Sequence, residues 1–177
     1  MRELELSDGV ITLSPLRPED AEAHLAGEDE ELVRWLSGGR STPETVEAYL
    51  RHCREQWETA GPLHAFGIRA GERGDLAGTV DLRFVQAYLA TGQVNVAYGL
   101  YPSWRGRGLA TRAVRLACGY AARTGAREAV IRVEPGNGAS AAVARRAGFA
   151  PDKHTFEQDG TRHDWYLRSL NRPDGEE

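Results

Sequence analysis

The feature that most constrains this chain is the succession at its centre. A β-rich run, QVNVAYGLY (residues 93–101), leads through a glycine- and arginine-rich stretch, WRGRG (104–108), into a helical pattern from Leu109 to Arg123 and then a second β-rich run, EAVIRVE (128–134). Leu109, Ala113, Ala117 and Tyr120 form one apolar stripe of the helix, and Gly125 supplies its stop. Two strands joined through a helix in this way lie parallel in one sheet, with a right-handed crossover. The loop therefore opens a helix at the end of a strand. There the first-turn N–H groups have no carbonyl partner, and the positive end of the helix dipole lies behind them. Gly106 and Gly108 remove the Cβ atoms that would keep an anion from this backbone, and Arg105 and Arg107 add guanidinium donors. A pyrophosphate suits such a loop, with Leu109, Ala110 and Thr111 presenting the bare N–H groups. A solvated surface turn is the plainer reading, and its position between strand and helix argues against it.

The segments on either side fit one domain. GVITLSPL reads as a strand and RPEDAEAHL as a short helix. STPETVEAYLRHCREQWETAG places Val46, Leu50, Cys53 and Trp57 on one helical face, behind a Ser41/Thr42 cap with Pro43 in the first turn and Gly61 as the stop. LHAFGIRA, LAGTVDLRFV and QVNVAYGLY alternate as a three-stranded meander. After the central unit, GASAAVARRA predicts a helix that leads through Gly148-Phe149 to two last strands. Asp159-Gly160 predicts a type I′ turn between them, pairing Glu157 with Arg162. The expectation is a single α/β domain over residues 1–170 with a mixed sheet of about six or seven strands, followed by a flexible tail, 171–177.

Several function classes fall away. The formal charge of −4 over 177 residues offers no basic field for nucleic acid. MRELELSDGV lacks the apolar core of a signal peptide and no apolar run is long enough to span a membrane, so the expectation is a cytoplasmic protein. Cys53 and Cys118 fall in apolar helical stripes and read as buried thiols, and the five histidines lack metal-site spacing, so no metal is expected. A Walker loop needs Lys after the second glycine, where Leu109 stands; a dinucleotide fingerprint needs a third glycine or alanine, where Thr111 stands.

NAD stays open as a weaker alternative; coenzyme A also carries a pyrophosphate, and here a resemblance becomes specific. Arg105-x-x-Gly108-x-Ala110 resembles the Q/R-x-x-G-x-G/A signature of the GNAT superfamily of acetyl-CoA-dependent N-acetyltransferases. EPGNGASAAVARRAGF resembles that family's second motif, an asparagine opening a helix that closes at Gly-Phe, and the order of elements is similar over nearly the whole chain. ITLSPLRPEDAE, YGLYPSWRGRGLATRAV and NGAS look most like the branch that includes ribosomal-protein N-terminal acetyltransferases and many small-amine and antibiotic acetyltransferases.

The resemblance implies a splayed pair of parallel strands holding the pantetheine arm of acetyl-CoA, with backbone contacts from Leu100 and Tyr101. It implies a pantetheine contact for Asn137, which reads equally as a helix N-cap, and an adenosine 3′-phosphate contact for Arg146, which reads equally as an exposed charge. The acceptor is then an amine: a small molecule, an aminoglycoside-like antibiotic or a protein N-terminus. An amine must lose a proton before it attacks a thioester, and Glu134, then Asp81, are the candidate bases, each with an ion-pair role as its alternative. Many family members protonate the departing thiolate with a tyrosine seven residues after the motif asparagine. Ala144 stands there, which leaves Ser140 as the candidate hydrogen-bond donor, or else a packing serine, with Tyr166 next. The same alanine keeps open a second class, an acyl-CoA-binding sensor without turnover. Glu28-Asp29-Glu30-Glu31 reads either as a site for a cationic acceptor or as a solvated helix start, and Trp35, Trp104 and Trp165 as cleft walls or core. A homodimer is compatible with all of this.

Overall fold

The computed structural model describes residues 3–170, so the expected tail at 171–177 lies outside the described residues. Eight strands form one mixed sheet, one or two more than the pattern predicts. The additional strand is the two-residue β1 (Leu6–Ser7), which pairs with β2 (Ile11–Pro15) and is too short to show a period in sequence. After a 3₁₀ turn at Pro18–Asp20 come α1 (Ala21–Gly27), α2 (Glu30–Leu32) running into a π-helical turn at Val33–Ser37, and α3 (Pro43–Glu58). The meander β3 (Leu63–Ala70), β4 (Asp75–Arg83) and β5 (Gln93–Leu100) is antiparallel throughout. Then α4 (Leu109–Arg123), β6 (Glu128–Val133), α5 (Gly138–Arg146) and the hairpin β7 (Ala150–Phe156) and β8 (Arg162–Ser169) complete the order β1-β2-β3-β4-β5-β6-β8-β7.

Local chemistry explains the main elements. Thr42 accepts a hydrogen bond from the Thr45 N–H at 3.2 Å with Pro43 in the first helical position, so α3 starts where its cap predicts. Its stripe buries Val46, Leu50 and Cys53, while Trp57 stays half-buried and donates Nε1–H to the Ala65 carbonyl at 2.9 Å. The helix is closed by Ala60 at φ 52° rather than by Gly61. The hairpin turn also differs from the expectation. A type I′ turn needs two residues at positive φ, and only Gly160, at 86°, has one. The Glu157 N–H instead bonds the Thr161 carbonyl at 2.8 Å, so the loop is one residue longer and Arg162 faces Phe156, not Glu157. That shift frees Glu157 to reach Arg132 at 3.0 Å.

Two apolar layers sandwich the sheet. On one face α4 contributes Ala113, Val114, Ala117, Cys118 and Ala121 against Phe66, Ile68, Val80, Leu82, Val94, Val96 and Ile131, and α5 joins through Ala144. On the other, α3 packs Val46, Leu50 and Cys53 against Leu16, Ala65 and Tyr101. Each such fully buried aliphatic side chain contributes about 1.5–3 kcal/mol. The parallel contact between β5 and β6 runs only through Gln93↔Glu128, Val94↔Ala129 and Asn95↔Val130. Beyond Asn95 the strands part, as the family resemblance implies.

Candidate functional site

The parting of β5 and β6 opens a cleft of about 770 Å³, lined from both faces of the sheet. On the α4 face lie Tyr98 and Leu100 of β5, Arg105, Gly106 and Gly108 to Thr111 of the loop and helix start, Asn137 before α5, and Ser140 and Arg146 of α5. On the α3 face lie Trp35 and Leu36 of the π turn, Arg83, Tyr88, Asn95, Arg132, Glu134 and His163. The wide π turn, closed by a Gly38 N–H to Val33 carbonyl bond of 2.9 Å, carries Trp35 over the turn after β6: a Cβ on Gly136 would come within 3.2 Å of the indole.

At the mouth, Gly106 and Gly108 adopt φ of 76° and 73°, and nothing stands within 4 Å of where a Cβ would project. Gly108 is the N-cap of α4 and has no side chain to cap it, so the first-turn N–H groups of Leu109, Ala110 and Thr111, residues that line the cleft, lack a side-chain cap. This bare cradle fits an anionic ligand. The two arginines behave otherwise than expected. Arg105 turns back to bind Asp29 through two nitrogens at 2.6 and 2.9 Å, reaches Glu31 at 2.9 Å and donates to the Leu100 carbonyl at 3.1 Å. Its guanidinium is therefore spent on fixing the loop, although it borders the cleft. Arg107 is exposed above the Trp104 ring and does not line the cleft.

The same pairing resolves the acidic run. Asp29 caps α2 through the Leu32 N–H, and Arg105 holds its carboxyl down at about 2. Glu28 accepts from the Ser41 N–H and hydroxyl at 2.8 and 2.6 Å. The run is thus mainly a set of local anchors, with Glu31 alone touching the cleft. Tyr101 is likewise corrected. Its N–H goes to the Ala77 carbonyl at 2.9 Å and its hydroxyl to His24 at 2.7 Å, outside the cleft, so only Leu100 of that pair borders it.

On α5, Asn137 accepts from the Ser140 N–H at 3.2 Å, which makes it an N-cap that also faces the cleft. Arg146, at the C-terminal end of α5, lines the cleft with its side chain exposed. Ala144 is fully buried in the core. Ser140 faces the opening, and a residue that the motif reading passed over meets it there: the Tyr98 hydroxyl lies 2.9 Å from Ser140 Oγ and 2.9 Å from the Ser140 carbonyl oxygen. Burial pushes the Tyr98 phenol up to about 12, so it remains protonated at neutral pH. Strand alternation is the signal that places Tyr98 on this face, since Val94 and Val96 share it.

The two candidate bases separate clearly. Glu134 lines the cleft, and its carboxylate has no partner among the described residues. Asp81 does not line it. It is buried beneath α3, close enough to Tyr49 and Cys53 to raise both, and it binds the Arg83 guanidinium at 3.1 Å. Burial raises the Asp81 carboxyl while Arg83 opposes the shift. Asp81 thus serves to anchor Arg83. Burial pushes both cysteine thiols up to about 11, leaving them protonated and without a nucleophile's character. Of the three tryptophans considered, Trp35 lines the cleft, whereas Trp165 is buried with Nε1–H on Thr155 and Trp104 packs against the core. Tyr166, on β8, is buried in the core on the α4 face and accepts a hydrogen bond from Arg145 at 3.3 Å. Among the described residues no helix is long and apolar enough to cross a membrane.

A sheet opened between two parallel strands, with an uncapped helix terminus at the mouth, is the frame of an acetyltransferase. The chain belongs to the GNAT acetyltransferase family, whose domain model matches residues 11–150. Among solved structures it is similar to RimL, the ribosomal L7/L12 α-N-protein acetyltransferase, in complex with coenzyme A (17% identity over 94% of this chain and 98% of that one, TM-score 0.81). It is also similar to the ribosomal-protein-S5-alanine acetyltransferase of Vibrio fischeri (18%, 97% and 100%, TM-score 0.79) and to AAC(6')-Ib in complex with an aminoglycoside and acetyl-CoA (17%, 90% and 93%, TM-score 0.75). At these identities the likeness is one of fold. No curated protein matches in sequence.

Proposed function

We propose that this protein transfers an acetyl group from acetyl-CoA to a primary amine by direct attack. One observation carries the reading: the bare N-terminus of α4 on one face of the sheet and the unpartnered Glu134 carboxylate on the other meet at the opening between β5 and β6. The cradle of Gly106, Gly108, Leu109, Ala110 and Thr111 suits the pyrophosphate, Asn137 and Leu100 flank the pantetheine path, and Arg146 suits the 3′-phosphate.

Acetyl-CoA supplies an activated acetyl group: the C–N bond forms as the C–S bond breaks, the amine gives up one proton and the sulfur gains one. Glu134 is the group placed to accept the amine's proton, directly or through one water. Ser140 is the hydroxyl placed to donate to the sulfur, and Tyr98 holds it. With both cysteines protonated and buried, no acyl-enzyme is needed. The buried Ala144 supports the sensor reading, and the Ser140 hydroxyl held by Tyr98 supports turnover.

The test is free-thiol release on mixing with acetyl-CoA and an amine panel, alongside melting temperatures with acetyl-CoA, NAD and ATP. The expected result is a thermal shift with acetyl-CoA that NAD and ATP do not match, and thiol release with at least one amine. A shift without release on any amine would identify the sensor instead.

A further inference from the structure

The α3 face of the cleft holds a set of polar groups that acetyl-CoA, placed on the other face, leaves unused. Asn95 Oδ1 and Arg132 Nε are buried there without a hydrogen-bond partner among the described residues. His163 Nδ1 is buried too, 3.2 Å from a Glu157 oxygen but without hydrogen-bond geometry. Orphaned buried polar atoms are costly, by about 1–3 kcal/mol each, and here three of them cluster along one side of the cleft.

Asn95 Oδ1 accepts and so suits an N–H group, whereas the two arginines, Arg83 and Arg132, bring donors. Arg83 gives Nε and Nη2 to one Asp81 oxygen and keeps Nη1, with 43% of its side chain exposed. Arg132 gives Nη1 to Glu157 and lies 3.5 Å over the Tyr88 ring, which fixes its plane. Both guanidinium groups thus border the cleft with unspent donors. The acids are spent: Asp81 on Arg83, Glu157 on Arg132, Asp29 and Glu31 on Arg105, Glu28 on Ser41. Among the described residues Glu134 remains as the single unpaired carboxylate on this side, just past the end of β6 and two residues on from Arg132. A polycation would need several such carboxylates. One carboxylate beside two arginine forks instead matches one ammonium beside one oxyanion.

We infer that the acceptor is a small amine that carries its own oxyanion, a carboxylate or phosphate, which Arg83 and Arg132 hold while Glu134 receives the amine. The inference rests on the acetyl-transfer reading and narrows its acceptor. It is tested with matched pairs that differ only in the anion: L-phenylalanine against 2-phenylethylamine, and O-phosphoethanolamine against ethanolamine, with kanamycin as the polycation. For at least one pair kcat/KM is expected to favour the anionic member by about tenfold or more, and the responding pair distinguishes carboxylate from phosphate. In Arg132→Gln, and separately in Arg83→Gln, that preference should shrink to within about threefold while the acetyl-CoA thermal shift persists. Two variants are used because either arginine also supports a neighbour. Equal or reversed preference in both pairs, acetylation of kanamycin alone, no acetylation of any pair, or a preference untouched in both variants would overturn the inference. Loss of the acetyl-CoA shift in the native protein would instead sink the acetyl-transfer reading, so the two failures are read separately.

Discussion

The Tyr98 hydroxyl sits 2.9 Å from both oxygens of Ser140, joining β5 to α5 beside the cleft. Phenylalanine keeps the ring and deletes only this link. Tyr98→Phe should lower kcat about tenfold with acetyl-CoA affinity within about twofold, and Ser140→Ala should lower kcat by about tenfold or more. Because one hydroxyl acts through the other, the double variant should lose little more than the worse single one. Steady-state kinetics, cosubstrate affinity and melting temperature on the same preparations decide it. A lower melting point with turnover within about twofold would make the pair structural.

The phosphate cradle needs a substitution that respects its backbone. Valine at position 108 would be strained at φ 73° wherever its side chain pointed, so a loss of binding there would be confounded by a loss of fold. Asparagine tolerates this conformation and still fills the space before the helix terminus. Gly108→Asn is expected to weaken acetyl-CoA binding by about tenfold or more with a small change in melting temperature, measured by calorimetry on the folded variant. Unchanged affinity would confine this glycine to shaping the turn.

Glu134→Gln preserves shape and removes the proton acceptor. A general base contributes about 10²–10⁴-fold, so kcat should fall by at least about a hundredfold while acetyl-CoA still binds. If kcat survives, the proton leaves through ordered water and Glu134 serves only to position the amine.

The Asp29–Arg105 link makes a stability prediction with a definite sign. Asp29 has its folded pKa lowered from 3.8 to about 2, so its contribution is fully present above pH 4 and is lost as pH falls towards 2. Asp29→Asn should therefore cost about 1 kcal/mol near neutral pH, since the pair is partly exposed, and the gap to the native protein should close by about pH 2. Denaturant titrations at a series of pH values measure it. A gap constant with pH would mean the cap on α2, and not the charge, is what matters.

Much of the frame was legible because its signals are local. The Thr42 cap, the stripe of α3, the bounds of α4 and the meander all follow from spacing over a single element, and each stands where expected. What escaped depends on partners far away in sequence. Arg105 looks like a phosphate ligand until Asp29, on another helix, is seen to claim it. Asp81 looks like a base until α3 covers it, and Arg107 looks like a cradle residue until it rests on Trp104. Tyr98 drew no notice because its partner lies on a helix beyond the next strand, and the family position that usually holds a tyrosine is elsewhere. The hairpin slipped by one residue because Asp-Gly also fits a longer loop when only the glycine takes positive φ.

Among the described residues, the three residue pairs between β5 and β6 are also the only rungs between the first five strands of the sheet and its last three. A molecule built this way carries its weakest seam along the line where its chemistry occurs. From Val96 to Leu100 the β5 backbone is braced by β4 alone, leaving an edge that an extended ligand arm would occupy as a strut. Cosubstrate binding and repair of the sheet then become one event. The free protein should exchange amide hydrogens readily along that edge, and a bound cosubstrate should slow exchange on both sides of the seam at once, knitting two half-sheets into one mechanical unit.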